Sequence, residues 1–520
     1  MFPISHILPR SCAMYPHRLA LLDGDVRYTF EELGQRVNAL VGALKAKGIR
    51  QGDRVALLDV NSHQFVEAYY ACAQAGIIFV PLNSRLSPPE LKYILNDCSA
   101  KALLLSDPYF PVLEGLDQGG KGIELVVAYG KGPYPKGAME YEQFLASAAL
   151  DASIAPVELS DVAQIYYTSG TTGDPKGVCL TYGNMIASAF DALAGLALTE
   201  KDIWLHAAPM FHLVDAWSIW SLPMVGAAQA VVNFAPERFM ETVARCKVTA
   251  TALPSTLISM TTEHPKCGSY DLSSLRLIVY GGSPTPLSVL QKAAKILPTT
   301  YMHGYGITET SGITTLVSPL EFCLDGTPEQ VTITSSAGRA VPHVQIEISN
   351  DAGARLDPGQ IGEILVGGPR VMAGYWNKPE RTREVLRDGW YQTGDVGYLD
   401  EEQRLFIVDR KKDMIISGGE NIYSVEVENI LAIHPAVREV AVIGVPDERW
   451  GEAVKAIVVL IEGSTVSPEE LIKFCEGRIA RYKIPKSIDF SAELLPKTGP
   501  GKIAKRRLRD PYWAARNQAI

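Results

Sequence analysis

The chain has 520 residues, 47% hydrophobic and 21% charged, with a formal net charge of -9. At about 150 residues per domain this length allows three or four structural units around a large core, and the acidic balance argues against a nucleic-acid binder, which would show a basic footprint. Eight scattered cysteines, with no Cys-x-x-Cys and no tight Cys/His cluster, argue against a zinc site and suit a reducing cytosol.

Residues 1–10 lack a charged start followed by a sustained apolar core, so no signal peptide is predicted and a cytoplasmic location is expected. Thr29-Phe-Glu-Glu32 fits a capping box that opens a helix through Leu33, Val37, Leu40, Val41 and Leu44. Arg54–Val60, Ile77–Leu82 and Lys101–Leu105 read as strands, separated by helices over Gln64–Ala75 and from Ser87-Pro-Pro-Glu90. That alternation predicts βαβ units and a parallel sheet. Lys131–Lys136 is predicted as a surface loop. Val162–Tyr167 is the next strand, Thr181–Leu198 a helix, and Trp204–Pro209 and Leu275–Tyr280 further strands. Ala216–Pro236 has no charged residue, but Pro223, Gly226, Gln229 and Asn233 interrupt it, so it reads as a helix leading into a buried strand rather than a membrane span. From Ala337 the pattern shifts to short strands, including Gly362–Val366 and Tyr398–Val408, and predicts a β-rich subdomain. Beyond Arg410 a smaller α+β module is predicted, with a helix over Val425–Ile433, strands over Glu439–Val445 and Val454–Ile461, and a helix from Ser467.

The most informative stretch is Tyr166–Val178. The strand before it ends in a loop where Gly170, Gly173 and Gly177 permit sharp turns. Thr168, Ser169, Thr171 and Thr172 supply hydroxyls, successive N–H groups can nest anionic oxygens, and Lys176 adds a full charge. These residues suit a polyphosphate, although Gly, Ser, Thr and Pro also favour plain exposed turns. The loop is not a Walker A sequence, since Lys176 follows Pro175 and precedes Gly177. Further along stand Pro209-Met-Phe-His-Leu-Val-Asp215, Gly281-Gly-Ser-Pro-Thr-Pro286, Tyr301-Met-His-Gly-Tyr-Gly-Ile-Thr-Glu-Thr-Ser311, Thr393-Gly-Asp395, Asp409-Arg-Lys-Lys-Asp413, Ser417-Gly-Gly-Glu-Asn-Ile422 and Leu495-Pro-Lys-Thr-Gly-Pro-Gly-Lys-Ile503.

In this order and over nearly the whole chain, these motifs resemble those of the adenylate-forming superfamily, and of its acyl-CoA synthetases in particular. The resemblance implies a large α/β N-terminal domain, residues 1–411, built of parallel-sheet subdomains and a β-rich subdomain. A small mobile α+β C-terminal domain, residues 412–520, would carry the catalytic lysine. It implies ATP, Mg2+ and CoA as cofactor and co-substrates. ATP or AMP would be bound by Thr168, Ser169, Gly170, Thr171, Thr172, Gly173, Lys176, Gly282, Ser283, Pro284, His303, Gly304, Tyr305, Gly306, Thr308, Asp395, Ile407, Arg410 and Lys502. Tyr305 would lie against adenine, Thr308 would contact phosphate, Glu309 would hold Mg2+, and Asp395, which sits in a turn on this reading, would accept both ribose hydroxyls. Lys502, with Thr308, Glu309 and His212, is the expected catalytic set, and Lys497 is a nearby lysine that does not match.

The acyl pocket is expected around His212, Trp217, Tyr280, Gly281, His303 and Gly304. Lys412 would be the hinge, and Ser417, Gly418, Gly419 and Glu420 the loop that admits CoA. Amino-acid-activating relatives carry an aspartate where this chain has His212, which argues against an amino acid substrate, with Asp215 three residues on leaving that open. Lys505, Arg506, Arg507 and Arg509 read as a solvated basic face. The apolar character of Phe211–Trp220 points to a hydrophobic monocarboxylate, with a medium- or long-chain fatty acid ahead of an aryl or cinnamate-type acid or a short acid. An acyl-AMP ligase loading a carrier protein, a luciferase-like oxygenase and a non-catalytic nucleotide-binding relative are the alternatives. No integral membrane span is expected, and a homodimer is the assembly considered.

Overall fold

The computed structural model describes residues 2–116, 122–168, 175–282, 285, 287–418, 420–497 and 502–514. Among them lie four sheets. The first is eight-stranded, with a parallel core of Arg54–Leu58, Ile78–Leu82, Ala102–Ser106, Leu125–Tyr129 and Val162–Thr168. Ile78–Leu82 and Ala102–Ser106 are buried at every residue, as expected where helices cover both faces of a parallel sheet. The second is nine-stranded, with Leu19–Asp23, Ile203–His206, Ala228–Val231, Ala250–Ala252, Leu277–Gly281 and Thr300–Ile307 parallel.

The helices between these sheets start where the side chains provide for them. Thr29 and Glu32 form a complete capping box before Phe30–Ala46, and Ser87 and Glu90 another before Pro88–Asp97. The main core gathers Phe30, Leu40, Phe65, Tyr69, Tyr182 and Trp220 from four helices. Ala216–Pro236 resolves into the helix Ser218–Met224 and the buried strand Ala228–Val231. No helix among the described residues is long and apolar enough to cross a membrane.

The third sheet is antiparallel and five-stranded, built from Gln345–Ser349, Gly362–Gly367, Leu386–Arg387, Trp390–Leu399 and Leu405–Arg410. The fourth, also five-stranded, contains Ile415–Ser417, Glu420–Ile422, Val437–Asp447, Gly451–Leu460 and Ser487–Phe490. Helices Ser424–Ala432, Pro468–Cys475 and Lys505–Trp513 accompany it. Only residues 411–414 separate the last strand of the third sheet from the first strand of the fourth.

Two expectations are corrected here. Thr393-Gly-Asp395 is not in a turn: it lies within the strand Trp390–Leu399, at a register shift where Glu363 pairs with Val396 but Leu365 with Gln392. The strand Trp390–Leu399 thus advances four residues where its neighbour advances two, and Gly394 at φ +71° lies in that excess. Lys505 does not belong to a solvated face. Its side chain is 13% exposed, 2.8 Å from Glu428, and its Nζ donates to Ser424 Oγ at 2.6 Å.

Candidate active site

The strand Val162–Thr168 pairs antiparallel with Lys176–Thr181, the last pair being Thr168 with Lys176. The strands on either side of the hydroxyl- and glycine-rich stretch are therefore direct neighbours. Ser169, Gly170, Thr171, Thr172 and Gly173 lie outside the described residues, as do Ser283, Pro284 and Gly419. Lys176 opens the second of these strands, with Nζ 5.2 Å from the centroid of the Tyr375 ring. Burial lowers its pKa, while the Glu309 carboxylate acts in the opposite direction.

Thr300–Ile307 carries His303, Gly304, Tyr305 and Gly306, and a short 3-10 turn, Thr308–Thr310, then presents Thr308 and Glu309. Tyr305 donates to Asp395 Oδ2 at 2.8 Å, and Arg410 Nε lies 3.3 Å from Asp395 Oδ1. Asp395 and Arg410 are direct partners across neighbouring strands. A carboxylate has about four acceptor positions, so these two partners leave Asp395 room for further donors. Ile407, on the same strand as Arg410, is exposed. Lys502 closes the group: burial and the Arg410 charge lower its pKa to about 8, against the opposing effect of Asp395 and Glu309. The structure thus brings Lys176, Tyr305, Glu309, Asp395, Arg410 and Lys502 to one place. Lys497 is held elsewhere, 2.6 Å from Glu439.

Glu309 can serve a cation. Its Oε1 accepts from the Tyr375 hydroxyl at 3.1 Å, and burial raises its pKa. Among the described residues no group of three His, Cys, Asp or Glu could hold a metal. The fit is therefore to an ion such as Mg2+ that takes one or two carboxylates and completes its shell with phosphates and water.

The second half of the site is apolar. His212 sits in the turn after Pro209, its backbone N donating to Pro209 O at 3.0 Å. Its Nε2 is buried without a protein partner, and burial, with the Arg85 charge adding, lowers its pKa to about 4. A Cβ added at Gly282 would lie 3.6 Å from Val214 Cγ2, so the glycine turn meets the His212 turn. Gly281 packs its backbone against the Gly304 carbonyl so closely that no Cβ fits. Tyr280 and His303 stack at 5.0 Å and 11°. His303 Nδ1 faces Ser336 O at 2.7 Å, and since a carbonyl only accepts, that nitrogen carries the proton.

Trp217 is core, packed edge-on to Trp204 at 5.3 Å and donating to Val214 O at 3.2 Å. Asp215 is fully buried, accepting from Trp204 Nε1 at 2.8 Å with His206 Nδ1 at 3.1 Å. Its carboxylate is thereby enclosed in the scaffold and does not stand ready for a substrate amino group, which closes the question left by its position in the sequence.

Lys412 is exposed in the 411–414 connection, and its carbonyl accepts from Arg509 Nη1 at 3.2 Å. Ser417 and Glu420 are strand residues of the fourth sheet, and Gly418 lies in the turn after Ser417, its N donating to Trp450 O at 2.8 Å. Two aromatic residues escaped the sequence reading. Tyr375 touches both Lys176 and Glu309, and Trp450, 43% exposed with the Arg449 guanidinium 4.6 Å over its ring, stands beside Gly418. Neither had a local signal in the sequence, since Trp450 and Gly418, like Tyr375 and Glu309, meet only through the fold.

The model of the AMP-binding enzyme family matches residues 8–376, and that of the AMP-binding enzyme C-terminal domain matches residues 426–502. A feruloyl-CoA synthase of Amycolatopsis sp is 39% identical over 504 residues, covering 96% of this chain and 97% of its own. A long-chain-fatty-acid–CoA ligase of Mycobacterium tuberculosis is 34% identical over 496 residues, 94% of each chain. The crystal structure of an anthranilate CoA ligase in complex with anthranoyl-AMP superposes with a TM-score of 0.90 at 28% identity, over 99% of this chain and 98% of its own. The chain belongs to the AMP-binding enzyme family, among its AMP-forming acid–CoA ligases.

Proposed function

We propose that this protein activates a hydrophobic monocarboxylic acid, an aromatic acid by preference, as its acyl-adenylate with release of pyrophosphate, and then transfers the acyl group to CoA. The observation that carries the reading is the meeting of Lys176, Glu309, Asp395, Arg410 and Lys502, with the turn that carries the buried, unpartnered His212 Nε2 joined to the Tyr305 strand through Gly281 and Gly282.

In this reading Asp395 holds the ribose hydroxyls and Tyr305 flanks the base. The hydroxyl- and glycine-rich stretch and Lys176 hold the outer phosphates, and Thr308 contacts phosphate. Glu309 holds Mg2+, which when bound offsets charge on the polyphosphate. His212, neutral at pH 7, orients the acid. Its carboxylate oxygen attacks the α-phosphorus, the bond to the bridging oxygen of pyrophosphate breaks, and Lys502 and Arg410 stabilise the charge gathered on the α-phosphate. Lys502 suits this task as a compact point charge on a long stem. The C-terminal domain, beginning at residue 412, then turns about Lys412. Ser417, Gly418, Gly419 and Glu420 come to the acyl group, with Trp450 offering CoA an aromatic face. The CoA sulfur attacks the acyl carbon and AMP leaves.

The aromatic preference draws support from the flat Tyr280–His303 stack beside the glycine turn and from likeness to the feruloyl-CoA synthase. Likeness to the long-chain-fatty-acid–CoA ligase supports an aliphatic chain as the second reading. Pyrophosphate release with Mg2+-ATP over a panel of aryl, fatty and short acids, each with and without CoA, tests both. Turnover that requires CoA and peaks on cinnamate-type acids is expected. A peak on fatty acids moves the preference to the second reading, and release sustained by acyl-carrier protein but not CoA overturns the acceptor.

A further inference from the structure

Residues 370–376 run behind the nucleotide site and touch it from two sides. Their backbone is joined to the strand that follows the hydroxyl- and glycine-rich stretch: Gly374 and Tyr375 pair with Cys179 and Val178, Ala373 N donates to Cys179 O at 3.0 Å, and Trp376 N donates to Gly177 O at 2.7 Å. Lys176 is the first residue of that strand. On the other side, Met372 N donates to Glu309 O at 2.9 Å, and Ser311 Oγ donates to Arg370 O at 2.8 Å. Glu309 and Tyr375 are 66 positions apart, and the strand Lys176–Thr181 and the strands flanking the Thr308–Thr310 turn belong to different sheets.

The Tyr375 side chain completes this bridge. Its hydroxyl donates to Glu309 Oε1 at 3.1 Å, and its ring carries Lys176 Nζ at 5.2 Å. A carboxylate only accepts, so the single Tyr375 proton is committed to Glu309, and Tyr391, hydrogen-bonded to Tyr375, is the donor to it. Both tyrosines are at most 8% exposed, so neither has water as a ready substitute. The ring face attracts the ammonium by its quadrupole, while the hydroxyl fixes the carboxylate oxygen.

We propose that Tyr375 is a positioning residue for Mg2+-ATP. It fixes the distance between Lys176, the cation for the outer phosphates, and Glu309, the carboxylate for Mg2+, and so presets the site for the metal–polyphosphate unit rather than for either alone. The proposal rests on the reading that Glu309 holds Mg2+, and the test separates the two.

Equilibrium binding of a non-hydrolysable ATP analogue is measured by calorimetry over a range of free Mg2+ and in EDTA, without acid or CoA. Tyr375→Phe keeps the ring and loses the donor. The free Mg2+ for half-maximal binding should rise about tenfold, the order of one hydrogen bond to a charged acceptor, with binding in EDTA unchanged. Tyr375→Leu also loses the ring, and binding in EDTA should fall about threefold or more, the order of a cation–π contact between a half-buried lysine and a buried ring. Glu309→Gln should abolish the Mg2+ dependence, and adding Tyr375→Phe to it should change nothing more. A Glu309→Gln variant with wild-type Mg2+ dependence removes Glu309 as the metal carboxylate and the proposal with it. A shifted Glu309→Gln beside an unshifted Tyr375→Phe overturns the proposal alone, as does a Tyr375→Phe loss that is equal in Mg2+ and EDTA.

Discussion

His212 gives the sharpest measurable consequence of the site's construction. Its pKa is lowered from 6.5 to about 4, by burial first and by Arg85 second, so at pH 7 roughly one molecule in a thousand carries the proton. The folded state then binds fewer protons at this ring than the unfolded chain throughout the interval between pH 4 and pH 6.5. Stability contributed by keeping the ring neutral is complete above pH 6.5 and is lost as the pH falls. At about 1.4 kcal/mol per pKa unit, the loss between pH 7 and pH 5 is about 2 kcal/mol, with a further loss of about 1 kcal/mol by pH 4. His212→Gln keeps a polar side chain of similar reach and cannot titrate. Urea unfolding of both proteins at pH 7 and pH 5 isolates the effect, because the other eight of the chain's nine histidines are common to both. Wild type should lose about 2 kcal/mol more than the variant. Equal losses would show that His212 is solvated and refute the buried neutral ring, and with it the expectation that the acid's KM is flat between pH 6 and pH 8 as far as this residue is concerned.

Lys502→Ala should slow acyl-adenylate formation by about 100- to 1000-fold, the scale of removing one transition-state donor, yet largely spare thioester formation from supplied acyl-adenylate. Lys412→Pro should do the reverse, and single-turnover assays of each half-reaction in both variants check it; equal loss in both halves counts against rotation. Asp395→Asn should weaken ATP binding about tenfold or more, as expected for hydrogen bonds to a charged group, and calorimetric titration that finds unchanged affinity would remove it from the ribose site. Asp215→Ala strands the Trp204 indole N–H and the His206 ring in the core, and should destabilise the fold by about 3 kcal/mol or more. Denaturant unfolding that finds less than about 1 kcal/mol would show that water replaces the carboxylate.

The sequence was most informative where chemistry is local. Capping boxes at Thr29 and Ser87 set helix starts because four residues suffice to form them, and apolar runs such as Ala102–Ser106 marked parallel strands because both faces are buried. What needed more than one segment was hidden. The strand Lys176–Thr181 contains Gly177, ends on the cap residue Thr181 of the next helix, and owes its existence to pairing on both sides. The bulge at Asp395 is a matter of register against Gly362–Gly367, which a Thr-Gly-Asp triplet does not encode. Asp215 had several polar or aromatic residues within eleven positions, but only the packing of its turn against the strand Ile203–His206 decides that it faces Trp204 and His206. Lys505 looked like one cation among four until Glu428 and Ser424 were brought beneath it. The acid-binding walls pose the same difficulty: Tyr280, His303 and Val214 come from separate elements, so the motifs that handle ATP are legible while the substrate's shape is not.

The charges of the nucleotide site also give the proposed turn of the small domain a physical basis. Lys502 approaches Arg410, and its depressed pKa states that burial and this repulsion outweigh the attraction of Asp395 and Glu309. Lys176 is depressed as well, again by burial first. A cluster of cations taken out of water is costly unless an anion completes it, and a polyphosphate does so. The C-terminal domain is held in place meanwhile by contacts that do not involve substrate: Asp409 accepts from Ser424 N and Oγ, the latter at 2.7 Å, across the 411–414 connection, and Lys505 ties Ser424 to Glu428. In the proposed reaction, when pyrophosphate departs the phosphate charge opposite Lys176 goes with it, while the Asp409–Ser424–Lys505 contacts remain. On the proposed rotation, the energy that favours closure comes mainly from the substrate, so the domain is closed for one half-reaction and released for the next without any change in its own core.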